Sequence, residues 1–198
     1  MAKSSKPWLH RHVTDHYVRQ AKEKGYRSLA AFKLLQIDEK EKLLRPGVTV
    51  LDLGAAPGGW SQVAAQKGAK VTAVDLLPVA PIPGVIVLKG DFREVLKDPA
   101  RYDIVLSDLS PNISGIRNVD QARILELLQA ALAVCKVSLK PDGAFLTKAF
   151  HGEAFEEGKQ ALERAFSRVK VLKPPASRGE SRETYLLGRG LLFSQSPQ

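Results

Sequence analysis

The chain has 198 residues, 44% of them hydrophobic, and its 30 Lys and Arg residues exceed its 21 Asp and Glu residues to give a net charge of +9. This length suits one well-buried domain with a short extension, and the charge favours a polyanionic partner such as nucleic acid. The single cysteine, Cys135, excludes an internal disulfide and agrees with a cytoplasmic location, and the longest uncharged run, residues 76–88, is too short and proline-rich to cross a membrane.

The first 46 residues read as a basic extension. Residues 1–33 carry eight Lys and Arg against two acids, with histidines and aromatic rings between them. Helices are predicted over 14–24 and 28–44, and a turn at 45–47 closes the segment. Cations mixed with rings suit RNA, because cations neutralise phosphates and rings stack on bases. A metal site at the three histidines of this segment is disfavoured, since no cysteine or paired carboxylate accompanies them (His10, His12, His16).

A glycine-rich turn follows the first buried strand. An apolar run over 48–53 predicts a parallel strand, a small-residue turn occupies 54–59, and a helix follows over 60–66. This order is typical of a nucleotide-type site at the carboxyl end of a strand, and Gly54 lets a ligand approach the backbone. The second glycine of a dinucleotide motif is replaced by Ala56, while Asp52 supplies an acid. An acid favours a cationic ligand such as S-adenosylmethionine, although a plain packing turn remains the alternative.

Three further acids end predicted strands. Asp75 lies at the carboxyl end of the strand over 70–77, about 20 residues beyond the first glycine, which is the spacing expected of a residue that binds ribose hydroxyls. Asp91 follows the strand at 85–88 and could bind an adenine amine, cap the next helix, or do both. Asp108 follows the strand at 102–106, which should lie beside the first strand where the chain order reverses, so substrate chemistry is expected there.

The second half continues the alternation. An amphipathic helix at 118–139 should bury Cys135 in the core rather than present it as a nucleophile. A turn is predicted at 140–143. Lys148 lies near the end of the next strand, over 143–150, which should be central in the sheet, so its charge needs a partner because burial removes its hydration. The remaining predictions are a helix over 153–166, a strand at 169–172, a basic loop over 174–182, a strand over 183–193 and a tail at 194–198. We therefore expect a catalytic domain over 47–193.

Short motifs spread over residues 7–188 carry a family resemblance. They are S-L-A-A-F-K-L, D-L-G-A-A-P-G-G-W-S-Q, D-L-L-P, G-D-F-R, S-D-L-S-P-N, T-K-A-F-H-G-E and S-R-G-E-S-R-E-T-Y. The chain closely resembles the FtsJ family of bacterial ribosomal RNA 2′-O-methyltransferases. This resemblance implies an α/β fold: a Rossmann-like, mostly parallel seven-stranded sheet with helices on both faces. It also implies S-adenosylmethionine as cofactor.

The resemblance also assigns site residues. It implies a catalytic Lys-Asp-Lys-Glu tetrad, which falls on Lys33, Asp108, Lys148 and Glu183. It implies cofactor contacts at Gly58, Trp60, Asp75, Asp91 and Asp108, to which we add Gly54 of the turn. The implied target is a uridine of 23S rRNA in the large ribosomal subunit. Two positions depart from the family pattern, Ala31 for an aromatic residue and His151 for Gln. We expect a monomer that needs no metal.

Other functions are weighed against this one. A nitrogen methyltransferase would need an aromatic residue where Asn112 stands, and a cytosine-C5 enzyme would need a cysteine near the end of the fourth strand. The turn disfavours an NAD-linked oxidoreductase. A non-catalytic RNA-binding ribosome assembly factor could keep the same fold and charge, but it would not need both the strand-end acids and Lys148.

Overall fold

The computed structural model describes residues 16–97, 101–177 and 183–192, and strands and helices alternate along them. The helices are α1 (16–23), α2 (Ala30–Glu41), α3 (Gly59–Gln66), α4 (Arg117–Ser138) and α5 (Glu153–Ala165). The strands are β1 (Thr49–Leu53), β2 (Lys70–Asp75), β3 (Val85–Lys89), β4 (Tyr102–Ser107), β5 (Leu139–Phe150), β6 (Phe166–Leu172) and β7 (Glu183–Leu191). Short 3₁₀ segments cover Phe92–Lys97 and Pro175–Ser177.

The seven strands form one sheet in the order β3-β2-β1-β4-β5-β7-β6. The first five strands run parallel, and β7 pairs antiparallel with both β5 and β6. The chain order reverses beside β1, which lies between β2 and β4, so loops from both directions meet at the carboxyl ends of β1 and β4. The predicted Rossmann-like sheet and the central position of β5 are confirmed.

Each face of the sheet has its own hydrophobic core. Val50, Leu106 and Leu146 point to one face, where they pack in a cluster with residues of α2 and α3. Their neighbours on the same strands, such as Leu51 and Val105, point to the other face and pack with residues of α4 and α5. Strands covered on both faces need continuous apolar runs, which explains why the central strands are so hydrophobic.

Cys135 lies in the second core. Its side chain is fully buried in α4, as the sequence predicted, and it has no disulfide partner. Burial raises the pKa of its thiol, because the apolar surroundings disfavour the thiolate. The residue is therefore a packing residue and is not a nucleophile.

Strand β5 begins earlier than predicted. The sequence 140–143 was expected to be a turn, but the structure extends β5 back to Leu139. The pairing with β4 is irregular here: Tyr102 pairs with Leu139, and Ile104 pairs with Ala144. The extra residues of β5 bulge out between these two pairs, so the turn-forming residues Pro141, Asp142 and Gly143 lie in a bulge within the strand.

The start of the described chain packs against the sheet. Ala31, Leu34 and Ile37 of α2 are buried in the same cluster as Val50 of β1. Tyr17 of α1 lies against Phe32 of α2, with 5.4 Å between ring centroids. Residues 1–15 and the tail at 194–198 lie outside the described part of the chain, as do residues 178–182 of the predicted basic loop.

Candidate active site

Four charged residues meet where β4 and β5 end and β7 begins. Asp108 directly follows β4, and Lys148 lies near the carboxyl end of β5. Glu183 is the first residue of β7. Because β7 is antiparallel to β5, the amino end of β7 lies beside the carboxyl end of β5, and Glu183 is opposite Phe150. Lys33 reaches the same place from α2, which packs on the sheet. The structure thus brings together the four residues that the sequence predicted as a tetrad.

The tetrad is arranged as two ion pairs. The Nζ of Lys148 lies 3.2 Å from Oδ1 of Asp108 and donates a hydrogen bond of 2.9 Å to the Asp108 carbonyl oxygen. The Lys148 side chain is only 7% exposed, so its charge is held by Asp108 rather than by water. Lys33 donates a hydrogen bond to Oε2 of Glu183. Each pair joins segments that are distant in sequence, so the site exists only in the folded chain.

The electrostatics of Asp108 differ from those of an ordinary surface acid. Burial raises the pKa of Asp108, the nearby charges of Lys148 and Lys33 oppose this rise, and the charge of Glu183 adds to it. The buried phenol of Tyr185 lies opposite Lys148 in the sheet, and burial raises its pKa as well. Asp108 is therefore a carboxylate that takes a proton more readily than usual while it stays paired with a lysine.

The glycine turn forms one wall of a cavity beside the tetrad. Gly54 has φ +73°, and a Cβ placed there would lie 2.6 Å from Cδ2 of Leu109. Gly58 has φ +110°, and its Cβ would lie 2.7 Å from Cδ1 of Ile82. Both positions combine a backbone that favours glycine with a close neighbour. The cavity measures about 220 Å³ and is lined by Ser28, Ala30, Asp52, Gly54, Ala55, Ala56, Pro57, Gly59, Trp60 and Asp108.

Asp52 gives this cavity a buried acid. Its side chain is fully buried, Oδ2 accepts a 2.6 Å hydrogen bond from Ser61, and Oδ1 has no hydrogen-bond partner. Burial raises the pKa of Asp52 to about 7, the Ser61 hydroxyl opposes the rise, and the charges of Asp108 and Asp75 add to it. An unpaired buried acceptor beside a second acid suits a ligand that carries positive charge. The cavity therefore fits S-adenosylmethionine, which has an ammonium and a sulfonium.

Two other predicted cofactor residues, Trp60 and Asp75, form hydrogen bonds with the backbone around the cavity. Trp60 is 2% exposed and donates from Nε1 to the Ala30 carbonyl at 2.8 Å. Asp75 accepts hydrogen bonds from the backbone N–H groups of Ala56 and Leu77 at 2.9 and 2.7 Å, so it fixes the turn. A carboxylate has further lone pairs available for ribose hydroxyls.

Asp91 is not among the residues that line the cavity. Its Oδ1 accepts from the Arg93 N–H at 2.9 Å and lies 3.2 Å from Arg93 Nε. The predicted capping contact is therefore present. Its predicted contact with the adenine stays a prediction.

Arg27 was not singled out by the sequence. Its guanidinium donates hydrogen bonds of 2.6 Å to the carbonyls of Ala80 and Pro81, and a longer one of 3.4 Å to the Pro57 carbonyl. The side chain thus ties the proline-rich loop after β2 to the glycine turn. In the sequence it is one cation in a basic stretch, and nothing in its neighbours indicates these contacts.

Two kinds of site are not found within residues 16–97, 101–177 and 183–192. No cluster of histidine, cysteine and acidic residues there could hold a metal ion. The helices of those ranges are all too short or too polar to cross a membrane.

Comparison with known proteins identifies the family. The model of the FtsJ-like methyltransferase family matches residues 26–191. The chain belongs to this family. The FtsJ-like resemblance found in the sequence is confirmed, and with it a methyltransferase activity that uses S-adenosylmethionine.

Relatives and solved structures agree with the FtsJ-like assignment. The ribosomal RNA large subunit methyltransferase E of Thiobacillus denitrificans is 54% identical over 94% of this chain and 90% of its own length. The protein of the same name from Alkalilimnicola ehrlichii is 52% identical over 94% of both chains. A solved structure described as a ribosomal RNA methyltransferase of Plasmodium falciparum has a TM-score of 0.73 and 28% identity, over 85% of this chain and all of that one.

Proposed function

We propose that this protein transfers a methyl group from S-adenosylmethionine to the 2′-hydroxyl of a ribose in large-subunit ribosomal RNA. The observation that carries the proposal is the position of Lys148, which is nearly buried and held by Asp108 beside the cofactor cavity. The names of relatives at 54% and 52% identity support ribosomal RNA of the large subunit as the substrate. The net charge of +9 suits a polyanion of this kind.

The chemistry requires an aligned hydroxyl and an acceptor for its proton. When bound, S-adenosylmethionine supplies a methyl group on a positively charged sulfur. Lys148 orients the ribose hydroxyl with an N–H that Asp108 does not use. During methyl transfer, Lys148 would take the hydroxyl proton as its ammonium gives a proton to the Asp108 carboxylate, so that the pair gains one proton in all. The raised pKa of Asp108 makes this pair a better proton acceptor than a surface ion pair.

Lys33 and Glu183 act on the substrate side of the same site. Their ion pair fixes both side chains next to Asp108, since the charges of both are felt by that carboxylate. We assign Glu183 to alignment of the ribose and Lys33 to holding Glu183 and the substrate. Alignment of oxygen, methyl and sulfur is the main contribution expected of the protein, because the reaction has no covalent enzyme intermediate.

The finer assignment follows from the family resemblance. The target would be a uridine of 23S rRNA, and the enzyme would act as a cytoplasmic monomer on the assembling large subunit. The cofactor contacts would come from Gly54, Gly58, Trp60, Asp75, Asp91 and Asp108. The basic segment over 1–46 would contact RNA, and the catalytic domain would span 47–193.

The deciding experiment measures the transfer of a radiolabelled methyl group from S-adenosylmethionine to large ribosomal subunits. Large subunits from a strain lacking the enzyme are incubated with protein and radiolabelled cofactor, and the labelled position is mapped. We expect label on a ribose 2′-oxygen. In the Lys148→Ala variant we expect a loss of rate of about 10²-fold or more, because proton transfer is impaired, with the cofactor Kd nearly unchanged in calorimetry.

Lys140→Ala is the matched control. Lys140 lies on the same strand and pairs with Asp103 of β4 at 2.9 Å, but at the opposite end of that strand. It should keep full activity. Label on a base, or full turnover by Lys148→Ala, would contradict the proposal. Cofactor binding without any transfer by the unaltered protein would support the RNA-binding assembly factor instead.

A further inference from the structure

A second cavity adjoins the tetrad at Glu183. It measures about 820 Å³, within the range of roughly 300–1,000 Å³ typical of ligand pockets. It is lined by Ile113, Gly115, Arg117, Asp120, Gln121, Ile124, Phe150, His151, Gly152 and Glu183. We call it the β4–β5 cleft, since its rim is formed by the loops that follow these two strands. Asp108 lines the cofactor cavity and Glu183 lines the cleft, so the tetrad contributes to both.

We propose that the β4–β5 cleft binds the base of the nucleotide whose ribose is methylated, with His151 as the stacking surface. This inference rests on the proposed function. A ribose aligned by Glu183 has its base attached one bond away, and the cleft is the space that adjoins Glu183. A base lifted out of an RNA strand is recognised by stacking on rings and by contacts with its edges.

His151 is exposed but held in place. Its Nε2 lies at hydrogen-bond distance, 2.8 Å, from Oγ1 of Thr184, which is 1% exposed and follows Glu183 in β7. Its ring packs on Phe155 of α5, with 5.2 Å between centroids and 33° between planes. An aromatic ring fixed at one edge and on one side, yet accessible to solvent, loses little freedom when a base stacks on it. This is the arrangement expected of a stacking platform.

The loop before α4 supplies the apolar wall. Ile113 is 62% exposed, which is unusual for a large aliphatic side chain next to a charged site. Asp120 anchors this loop, since it accepts hydrogen bonds of 2.7 Å from the N–H and the hydroxyl of Ser114, and of 3.0 Å from the Gly115 N–H. These contacts lower the pKa of Asp120, so it stays charged at neutral pH. The loop therefore holds Ile113 at the cleft for contact with a base.

The floor and rim also fit a nucleotide. Gln121 accepts a 2.9 Å hydrogen bond from the Ala154 N–H, and a Cβ at Gly152 would lie 2.8 Å from Cδ of Gln121, so the floor is closely packed. Arg117 lines the cleft with a side chain that is 75% exposed and lies 3.3 Å from Glu153. An exposed guanidinium at the rim can contact a phosphate of the same strand.

The first test separates substrate binding from chemistry. Methylation of unmethylated large subunits is measured for Ile113→Ala, His151→Ala and His151→Phe. Because base–aromatic stacking contributes about 1–3 kcal/mol per base, we expect His151→Ala to raise KM by roughly 5- to 150-fold with kcat less affected. Ile113→Ala removes an apolar contact and should raise KM in the same direction. His151→Phe keeps a ring and should recover most of the loss. Ile86→Ala is the control, since Ile86 is 64% exposed on the edge strand β3, and it should change nothing.

The second test needs no turnover. The histidine ring signals of the full-length protein are recorded by NMR during titration with uridine monophosphate, and His151→Phe identifies the signal of His151 among the four histidines. We expect an upfield ring-current shift of that signal.

An unchanged KM in Ile113→Ala and His151→Ala, in a protein that still labels ribose, would overturn the proposal that the cleft binds the base and leave the proposed function intact. A raised KM without a shift of the His151 signal would overturn the stacking role. Label away from ribose in the unaltered protein would reject the proposed function itself.

Discussion

Lys148 and Lys140 lie on the same strand, and each forms an ion pair with an aspartate. Lys140 pairs with Asp103 in β4 and Lys148 with Asp108 just after it, yet the pKa values of the two aspartates shift in opposite directions. Burial alone would raise the pKa of Asp103, but hydrogen bonds from Thr49 and from Lys140 lower it to about 2. The pKa of Asp108 is raised, since burial outweighs Lys148 and Lys33. The first pair is a structural contact near the amino ends of β4 and β5. The second keeps a carboxylate that can accept a proton at the proposed site of methyl transfer.

Asp52 predicts a pH dependence of stability. Burial raises its pKa from 3.8 to about 7 in the folded state, so the neutral carboxyl stabilises the fold below about pH 4 and this contribution is lost as the pH rises through 7. Asp52→Asn mimics the neutral form and keeps an acceptor for Ser61. We expect its unfolding free energy to match that of the unaltered protein near pH 4 and to exceed it at pH 8, by at most about 4 kcal/mol.

Urea denaturation at several pH values measures this difference directly. A difference that is constant between pH 4 and pH 8 would contradict the titration of Asp52.

The same variant should bind S-adenosylmethionine more weakly at pH 8, because the negative charge facing the cationic ligand is gone. Calorimetry at both pH values checks this second effect, and a cofactor Kd equal to that of the unaltered protein would exclude Asp52 from ligand recognition.

At the scale of elements, the glycine turn after β1 predicts a steric effect that can be isolated. Gly54→Ala places a Cβ at φ +73° and 2.6 Å from Leu109 Cδ2, and the Leu109 Cα at 3.4 Å limits how far that side chain can retreat. Gly84→Ala is the matched control, since Gly84 has φ +76° and no atom within 4 Å of its Cβ. Both variants carry a backbone cost of about 1–2 kcal/mol.

The difference between these two variants therefore reports the contact with Leu109. We expect Gly54→Ala to be less stable than Gly84→Ala by about 1–3 kcal/mol in urea denaturation, the range found when a packed site is overfilled. It should also bind the cofactor more weakly, because Gly54 lines the cavity and Leu109 adjoins Asp108, which lines it as well. Equal stability and equal cofactor affinity of the two variants would refute the close approach at Gly54.

Most elements were predictable from sequence because their signals are local. Apolar runs marked the central strands, and the glycine turn marked the end of β1. Residues 140–143 misled the prediction, since a Pro-Asp-Gly turn signal is also compatible with a bulge inside β5, and only pairing with β4 decides between them. The contacts of Arg27 and the β4–β5 cleft were not predicted. They join segments far apart in sequence, and their residues form no local pattern.

At the scale of the whole molecule, the buried thiol of Cys135 offers a probe of global unfolding. The residue is fully buried between α4 and the sheet, and burial raises its pKa, so the native thiol should be inert. We expect labelling by Ellman's reagent to be at least about 10³-fold slower in buffer than in denaturing urea, because reaction requires opening of the core. Rapid labelling of the native protein would indicate that α4 opens locally.

The position of β7 in the sheet has a consequence for biogenesis. This strand is the last of the seven in the chain, but it lies between β5 and β6 and carries Glu183. The cofactor cavity is built from residues 28–108, which a ribosome delivers first. Until β7 inserts, β6 has no neighbour in the sheet and the cavity stands without its complete tetrad. The tetrad is therefore completed last, because Glu183 enters the site only when β7 inserts between β5 and β6.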